Sequence, residues 1–490
     1  LDLISFYGYK MLNNTEFRKI AHQVADWIAD YWENVEHYPV KSQVKPREIY
    51  EALPEEMPAN SEDFSAIWQD FQQIILKGIT HWQSPNFFAY FPANSSYESL
   101  LAEMLTAAMG AQCMIWETSP AAAELEEKMM NWLKKACGLP ETWSGVIQDT
   151  ASSATLSALL SAREKYSNFQ INEKGFESFT NFRVYASVQT HSSIEKAVKI
   201  AGIGKENFVQ VPCDEHFAIR TDLLEKLIEA DWQDDKKPLC IVATLGTTSS
   251  TAFDDLEKLS EIAQKHHLWL HVDAAYAGTA FLLPEFRHYL KGIEKADSYV
   301  FNPHKWMFVN FDCSAYFVKE KEWLIRTFEI LPEYLKTQND SLVNNYRDWG
   351  IPLGRRFRAL KLWFVMRSWG LRGLQKRLRE HIQLAQDLTR KIATHPDFEI
   401  LAPTTLNLIC FRYKPTHITD ENLLNTLNEK LLQTLNATGK VYMSHTKLNG
   451  KYTLRMVVAQ TYVLQKHILN AWQLIQERAE KLQTDYLENF

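Results

Sequence analysis

Between about Ser96 and Leu360, short apolar runs alternate with stretches of helical periodicity. "FRVYASVQ", "LCIVAT", "LWLHVD" and "SYVFN" are rich in β-branched and aromatic residues, mostly apolar and polar at their ends. Strands of that kind are buried on both faces, as in parallel sheets covered by crossover helices. The alternation therefore predicts an α/β fold with a mostly parallel central sheet flanked by helices. Outside this region the pattern changes. "NNTEFRKIAHQVADWIADYWENV" has apolar residues at helical spacing, with Thr15 as its expected cap. A connector rich in Pro and charge follows, then a second amphipathic helix near Phe64 to His81. After Leu360 comes a long helix, expected to bend at Gly370 or Gly373, then strand-like "LNLICFRY" and "YTLRMVVA" and a final helix. Three parts are expected: an N-terminal helical segment (1–96), a large domain (97–360) and a smaller α+β domain (361–490).

Each strand of the large domain runs into polar chemistry. "FRVYASVQ" leads to His191, "LCIVAT" to Thr247 and Thr248, "LWLHVD" ends on Asp273, and "SYVFN" leads through Asn302 to His304 and Lys305. Open α/β sheets bind ligands outside the carboxyl ends of their strands, so these residues are expected to share one crevice. In "VIQDTASSATLSALLSARE" a short strand, a small polar turn and a helix follow each other, which suits an anion held by Thr150, Ala151 and Ser152.

Lys305 sits inside the apolar run "SYVFNPHKWMFVNF". Taken alone, such a lysine snorkels to the surface, His191 is a capping or core histidine, Asp273 is a helix cap and "TASSAT" is only a capping motif. Together they change meaning. A lysine amine, a carboxylate, a flat imidazole and a phosphate cradle are the parts needed to hold pyridoxal phosphate. Lys305 would form a Schiff base with its aldehyde, Asp273 would keep the pyridine nitrogen protonated, and His191 would stack on the ring. Thr150, Ala151, Ser152 and Asn302 would take the phosphate.

Composition narrows the classes. The chain has 490 residues, 46% hydrophobic and 23% charged, with a net charge of −7. Mild acidity without a basic, aromatic-interleaved run argues against nucleic acid. No apolar stretch reaches the length of a membrane helix, and no signal peptide opens the chain. The first ten residues, "LDLISFYGYK", read as an upstream leader, with Met11 the expected natural start. Six scattered cysteines without a CxxC pair make neither a disulfide framework nor a zinc site and fit a reducing cytoplasm. His266, His267 and His271 lack metal-ligand spacing, and no metal is expected.

"HVDAAYAGTAFLLPEFRHYLKGIEKADSYVFNPHKWMFVNFDCSAYFVK" resembles the group II pyridoxal-phosphate decarboxylases, in particular the aromatic-L-amino-acid decarboxylases. "THWQSPNFFAYFPANSSY", "VIQDTASSAT", "ATLGTTSS", "NPHKW" and "IPLGRRFRALKLWFVMRSWG" match in the same order, so the likeness covers nearly the whole chain. The resemblance implies fold type I, a cytoplasmic homodimer with sites at the subunit interface, and N-terminal helices that pack on the partner. It implies loss of the α-carboxylate of L-aromatic amino acids as CO2. A decarboxylase for histidine, glutamate or an aliphatic side chain is the alternative.

By position, Lys305 matches the Schiff-base lysine, Asp273 the pyridine partner and His191 the stacking histidine. Thr248 matches a threonine beside the cofactor, and Ala151, Ser152 and Asn302 match phosphate positions. His304 matches an active-site histidine, and Tyr334 a tyrosine that delivers a proton to Cα. Trp82, Tyr90, Phe91 and Pro92 match substrate-pocket positions. Where the histidine decarboxylases carry serine, this chain has Gly354, which implies aromatic rather than imidazole substrates. There are departures from the animal enzymes. Asp149-Thr150 stands for Gly-Ser, Ala93 for Thr, and Cys113–Ile115 for Ile-Gly-Phe, so Ile115 replaces an aromatic wall. Such pocket changes are worth about 1–3 kcal/mol each, enough to re-rank aromatic substrates.

Overall fold

The computed structural model describes residues 12–177, 179–330 and 342–487, and the chain forms two compact units. The larger comprises Phe91–Phe411 and Val457–Thr461. Its centre is a seven-stranded sheet of β1 (Ser144–Gln148), β2 (Phe182–Ser187), β3 (Phe208–Val211), β4 (Lys237–Thr244), β5 (Trp269–Asp273), β6 (Ser298–Phe301) and β7 (Ser314–Val318). The spatial order is β1-β7-β6-β5-β4-β2-β3. The pairs β2–β3, β2–β4, β4–β5 and β5–β6 are parallel; β7 is antiparallel to both β6 and β1. Two antiparallel steps restore the direction, so β1 runs with β6 and six strands are parallel. The expected mostly parallel sheet is what these apolar runs form.

Packing explains the runs. Phe182, Val184 and Ala186 of β2 and Cys240 and Val242 of β4 lie in one buried cluster with Leu156, Leu159, Ile194 and Val198 from two covering helices. Each fully buried side chain of this size contributes about 1.5–3 kcal/mol. Trp269 belongs to the same cluster. Alternation along β5 places His271 and Asp273 on its face, toward the helix Ala151–Ser167.

Helix ends follow local chemistry. Ala151–Ser167 starts at Thr150, whose hydroxyl accepts from Ser153 N, and stops at Asn168 in the left-handed region. The long helix Arg358–Ala393 breaks at Gly370 (φ 61°, ψ 166°), while Gly373 stays helical.

The smaller unit contains the N-terminal segment up to Tyr90, Arg412–Met456 and the chain from Tyr462 onward. Helix Asn14–Asn34 is capped by Asn13 and not by Thr15. Asn13 reaches the amides of Thr15 and Glu16, and the Glu16 carboxylate reaches back to Asn13 N, so both ends of a capping box are closed. The second helix is regular over Phe64–Asp70 and then changes pitch through Phe71–Ile75 and Leu76–Gly78. N- and C-terminal segments interlock: Val40 N donates to Gly439 O and Phe88 N to Tyr442 O, each at 2.8 Å. The antiparallel strands Ser444–Leu448 and Lys451–Val457 and the helices Glu421–Ala437 and Gln465–Leu487 complete it.

Candidate active site

Adjacent parallel strands must end at one edge, and β4, β5 and β6 do so. Asp273, the last residue of β5, pairs with Thr244 of β4 and Val300 of β6. Its Oδ1 accepts from Ala275 N at 2.9 Å, and Asn302 N donates to Ala275 O at 2.9 Å. Lys305 follows in the short turn of helix Pro303–Trp306, its amide donating to Asn302 O. Because β1 runs with β6, Thr150 and the N-terminus of helix Ala151–Ser167 reach the same edge. The amides of Ala151 and Ser152 have no acceptor among the described residues. His191 caps the helix after β2 and accepts from Ser193 N through Nδ1. Thr190 Oγ1, 3.2 Å from Thr244 Oγ1, ties its loop to the end of β4, beyond which Thr248 is exposed.

Burial and charge link three of these groups. Burial lowers the Lys305 amine and Asp273 partly offsets it. Burial also lowers the His191 imidazole, with Lys305 pushing it further down and Asp273 up. Among the described residues the Lys305 amine has no hydrogen-bond or ion-pair partner; it lies 5.6 Å from the centre of the Phe91 ring. His304 is buried and its Nδ1 accepts from Cys313 N at 2.9 Å, so its proton is on Nε2. Burial, with Lys305 adding to it, drives its pKa to about 3.

Further contacts around Lys305 join segments that lie far apart in the chain. Phe91 stacks on Tyr276 (centroids 3.8 Å apart, 10° between planes), and Tyr276 on Trp306 at 5.3 Å. Asn94 is buried and donates through Nδ2 to the carbonyls of Lys305 and Ala459, while its amide donates to His304 O. Ser314, at the start of the reversed strand β7, lies 2.7 Å from Asn302 Oδ1 and 3.2 Å from Asp149 O. That bond turns the Asn302 NH2 away from Ser314. A polar residue inside an apolar run, as in "FPANSS" and "FDCSAYF", is the signal that marks both.

Each of the remaining expected residues has its own local setting. Trp82 and Tyr90 are in the smaller unit, stacked at 5.9 Å, with Tyr90 Oη 3.0 Å from Tyr442 Oη. Pro92 is buried beside Phe91. Ile115 and Gly354 belong to one local structure: Cys113 N donates to Arg355 O, and Arg355 N to Gln112 Oε1. Gly354 lines a small cleft of about 70 Å³ with Asp149 and Arg358. Tyr334 lies outside the described residues. His266 approaches Glu225 and Glu229, but the Lys265 amine already bridges those carboxylates at 2.7 and 3.3 Å.

Residues 46–414 match the model of the pyridoxal-dependent decarboxylase conserved domain. This chain belongs to that family. Among the pyridoxal-dependent decarboxylases and their kin, tyrosine decarboxylase 3 of Petroselinum crispum is 42% identical, covering 98% of this chain and 95% of its own. Phenylacetaldehyde synthase of Arabidopsis thaliana is also 42% identical, over 96% and 98%. The crystal structure of Catharanthus roseus tryptophan decarboxylase in complex with L-tryptophan superposes with a TM-score of 0.91 at 41% identity, covering 97% of this decarboxylase and all of that chain. The enzyme is thus a carboxy-lyase, its cofactor is pyridoxal phosphate, and its fold is type I. The residues present fit that group. An unpartnered amine, a carboxylate at the end of the neighbouring strand and free amides at a helix start are the donor set that an aldehyde, a ring nitrogen and a phosphate require.

Proposed function

We propose that this decarboxylase converts L-aromatic amino acids of the tyrosine, DOPA, phenylalanine and tryptophan type to amines and CO2. The carrying observation is the Lys305 amine, left without a partner among the described residues yet electrically coupled to Asp273 and His191. When bound, pyridoxal phosphate supplies a conjugated ring that takes up the electron pair freed as CO2 leaves. Lys305, with its charge disfavoured by burial, would offer a neutral nucleophile to the cofactor aldehyde. Asp273 would hold the proton on the pyridine nitrogen, and His191 would cover one ring face. The amides of Ala151 and Ser152, with Thr150, would bind phosphate, joined by the Asn302 NH2 that Ser314 orients. Thr248 would lie beside the cofactor. His304, neutral with its proton on Nε2, would act as a fixed donor. Tyr334 would return a proton to Cα.

Aromatic substrates are supported by the tyrosine and tryptophan decarboxylases among the relatives and by Gly354. A Cβ at Gly354 would sit 3.2 Å from Gln112 Nε2, so a serine there would crowd the cleft and offer a hydroxyl to an imidazole. Phe91, Pro92 and Ile115 would form further walls, and Trp82 and Tyr90 are substrate-contact candidates by the resemblance alone. A competition assay on a mixture of all natural amino acids, with amines read by mass, tests the class. Tyramine, phenethylamine or tryptamine should dominate; histamine, γ-aminobutyrate or an aliphatic amine in first place overturns it.

The same reading gives a homodimer whose N-terminal segment (1–96) packs on its partner and whose sites lie at the interface. It is supported by an exposed apolar stripe on the helix Tyr97–Met109. A cytoplasmic location is supported by six cysteines that are all free, and among the described residues no helix is long and apolar enough to cross a membrane. Cell fractionation tests that location.

A further inference from the structure

Behind Asp273, on the same face of β5, lies a chain of polar side chains that the chemistry above does not use. His271 is fully buried, two residues before Asp273. Its Nε2 is 3.1 Å from Thr155 Oγ1 and its Nδ1 is 2.9 Å from Ser298 Oγ. Ser298 in turn accepts from Trp269 Nε1 at 2.9 Å. Thr155 and Ser298 are also fully buried. Three elements are thereby pinned together: the strand that ends on Asp273, the strand that leads to Asn302 and Lys305, and the helix whose start carries Thr150, Ala151 and Ser152.

The surroundings make this chain informative. The cluster around it is apolar, with Leu156, Leu159, Val242 and Trp269 among its members. Burying three polar side chains there carries a desolvation penalty that apolar residues of the same volume would not. What hydrogen bonds add over apolar packing is direction and length. Thr155 lies one helical turn from Ala151, and His271 two residues from Asp273, so the bond between them fixes the distance from the helix start to the carboxylate. Burial also drives the His271 pKa down to about 4, so the ring is neutral and does not compete for the Asp273 charge.

Resting on the assignment of Asp273 and the helix start to the cofactor, we propose that Thr155, His271 and Ser298 are positioning residues. They set the separation between the carboxylate that meets the pyridine nitrogen and the amides that meet the phosphate, and so hold the two ends of the cofactor in register.

Thr155→Val removes the hydroxyl and keeps the shape; Thr155→Ser keeps the hydroxyl. Three quantities are read on each purified protein: the pyridoxal-phosphate dissociation constant by equilibrium dialysis, the NMR shift of an isotopically labelled pyridine nitrogen, and the thermal midpoint of the apoprotein. Losing one directed bond should weaken cofactor binding by up to about tenfold. The nitrogen shift should move, the apoprotein midpoint should fall because His271 Nε2 is left buried without its partner, and Thr155→Ser should restore all three readouts. Should Thr155→Val not fold, Ser298→Ala cuts the chain on its other side, and its folded fraction is expected to show the same changes in both cofactor readouts. Wild-type affinity and nitrogen shift in these variants, with only the apoprotein midpoint lowered, would overturn the positioning role. Failure of the wild-type protein to bind pyridoxal phosphate would instead sink the cofactor assignment on which it rests.

Discussion

An amine buried beside Phe91 loses hydration, and a cation suffers more from that loss than a neutral amine does. At Lys305 this desolvation outweighs the attraction of Asp273, so its folded pKa lies below the ordinary 10.5. The neutral, nucleophilic form therefore gains population as pH rises through a midpoint below that value. Capture of pyridoxal phosphate by the apoprotein, followed by visible absorbance, should track the same midpoint. Lys305→Ala should abolish turnover, and borohydride should then fix no cofactor to the chain by mass; a normal rate in that variant removes Lys305 from the chemistry. Tyr334 raises a different question, because decarboxylation leaves an electron-rich carbon that needs a proton. One relative is an aldehyde synthase at 42% identity, so overall likeness does not decide between amine and aldehyde. A phenylalanine in place of Tyr334 would have no hydroxyl proton to give. Tyr334→Phe should therefore slow amine release and let oxygen compete: amino acid, O2 and water give aldehyde, CO2, ammonia and hydrogen peroxide. An oxygen electrode beside an amine assay reads both paths. Amine at the wild-type rate with no oxygen uptake would free Tyr334 from proton delivery.

At the scale of elements, Gly370 and Gly373 show what the sequence states and what it withholds. Both interrupt a helical pattern, and either could bend it. Only Gly370 adopts φ 61° with ψ 166°, a region that strains any residue with a Cβ. No atom lies within 4 Å of a Cβ built there, so the cost of Gly370→Ala is one of backbone alone, about 1–3 kcal/mol. Gly373→Ala should do the opposite, adding about 0.5–1 kcal/mol, since its Cβ would make an ordinary 3.6 Å contact with Trp369. Urea titrations of the two variants should bracket the wild type; equal midpoints would contradict the assigned bend. The strands were legible because β4 and β5 are buried along nearly their whole length and so read as short, mostly apolar runs between helical patterns. Asp273 and Lys305 were legible because each polar residue ends or interrupts such a run. The cap of the first helix was misplaced by two residues, since Asn13, Thr15 and Glu16 offer overlapping capping chemistry. The stack of Phe91 on Tyr276 and the clamp of Asn94 on Lys305 join segments far apart in the chain, and no periodicity records such pairs.

For the molecule as a whole, the unexplained surface is the helix Tyr97–Met109. Tyr97, Leu101, Met104, Leu105 and Met109 repeat at helical spacing and are 44–56% exposed. A contiguous apolar stripe of this kind marks an interface, and a second copy of the chain is the proposed occupant. The placement of the pocket residues gives this a sharper form. Gly354 and Ile115 share a local structure tied through Gln112, Cys113 and Arg355, whereas Lys305 sits at the strand ends with Asp273. If the dimer builds each site from Lys305 of one subunit and Gly354 of the other, damage to the two is separable. Lys305→Ala and Gly354→Leu homodimers should each be inactive, the second because its side chain fills the cleft. After the two are mixed, dissociated and reassociated, half of the dimers are hybrids. Each hybrid has one site with both defects and one with neither, so activity should recover to about a quarter of wild type. Leu101→Glu, which puts a charge in the middle of the stripe, should block that recovery and sediment as a monomer. Mixed subunits that reassociate but stay inactive would mean that each site is completed within a single chain.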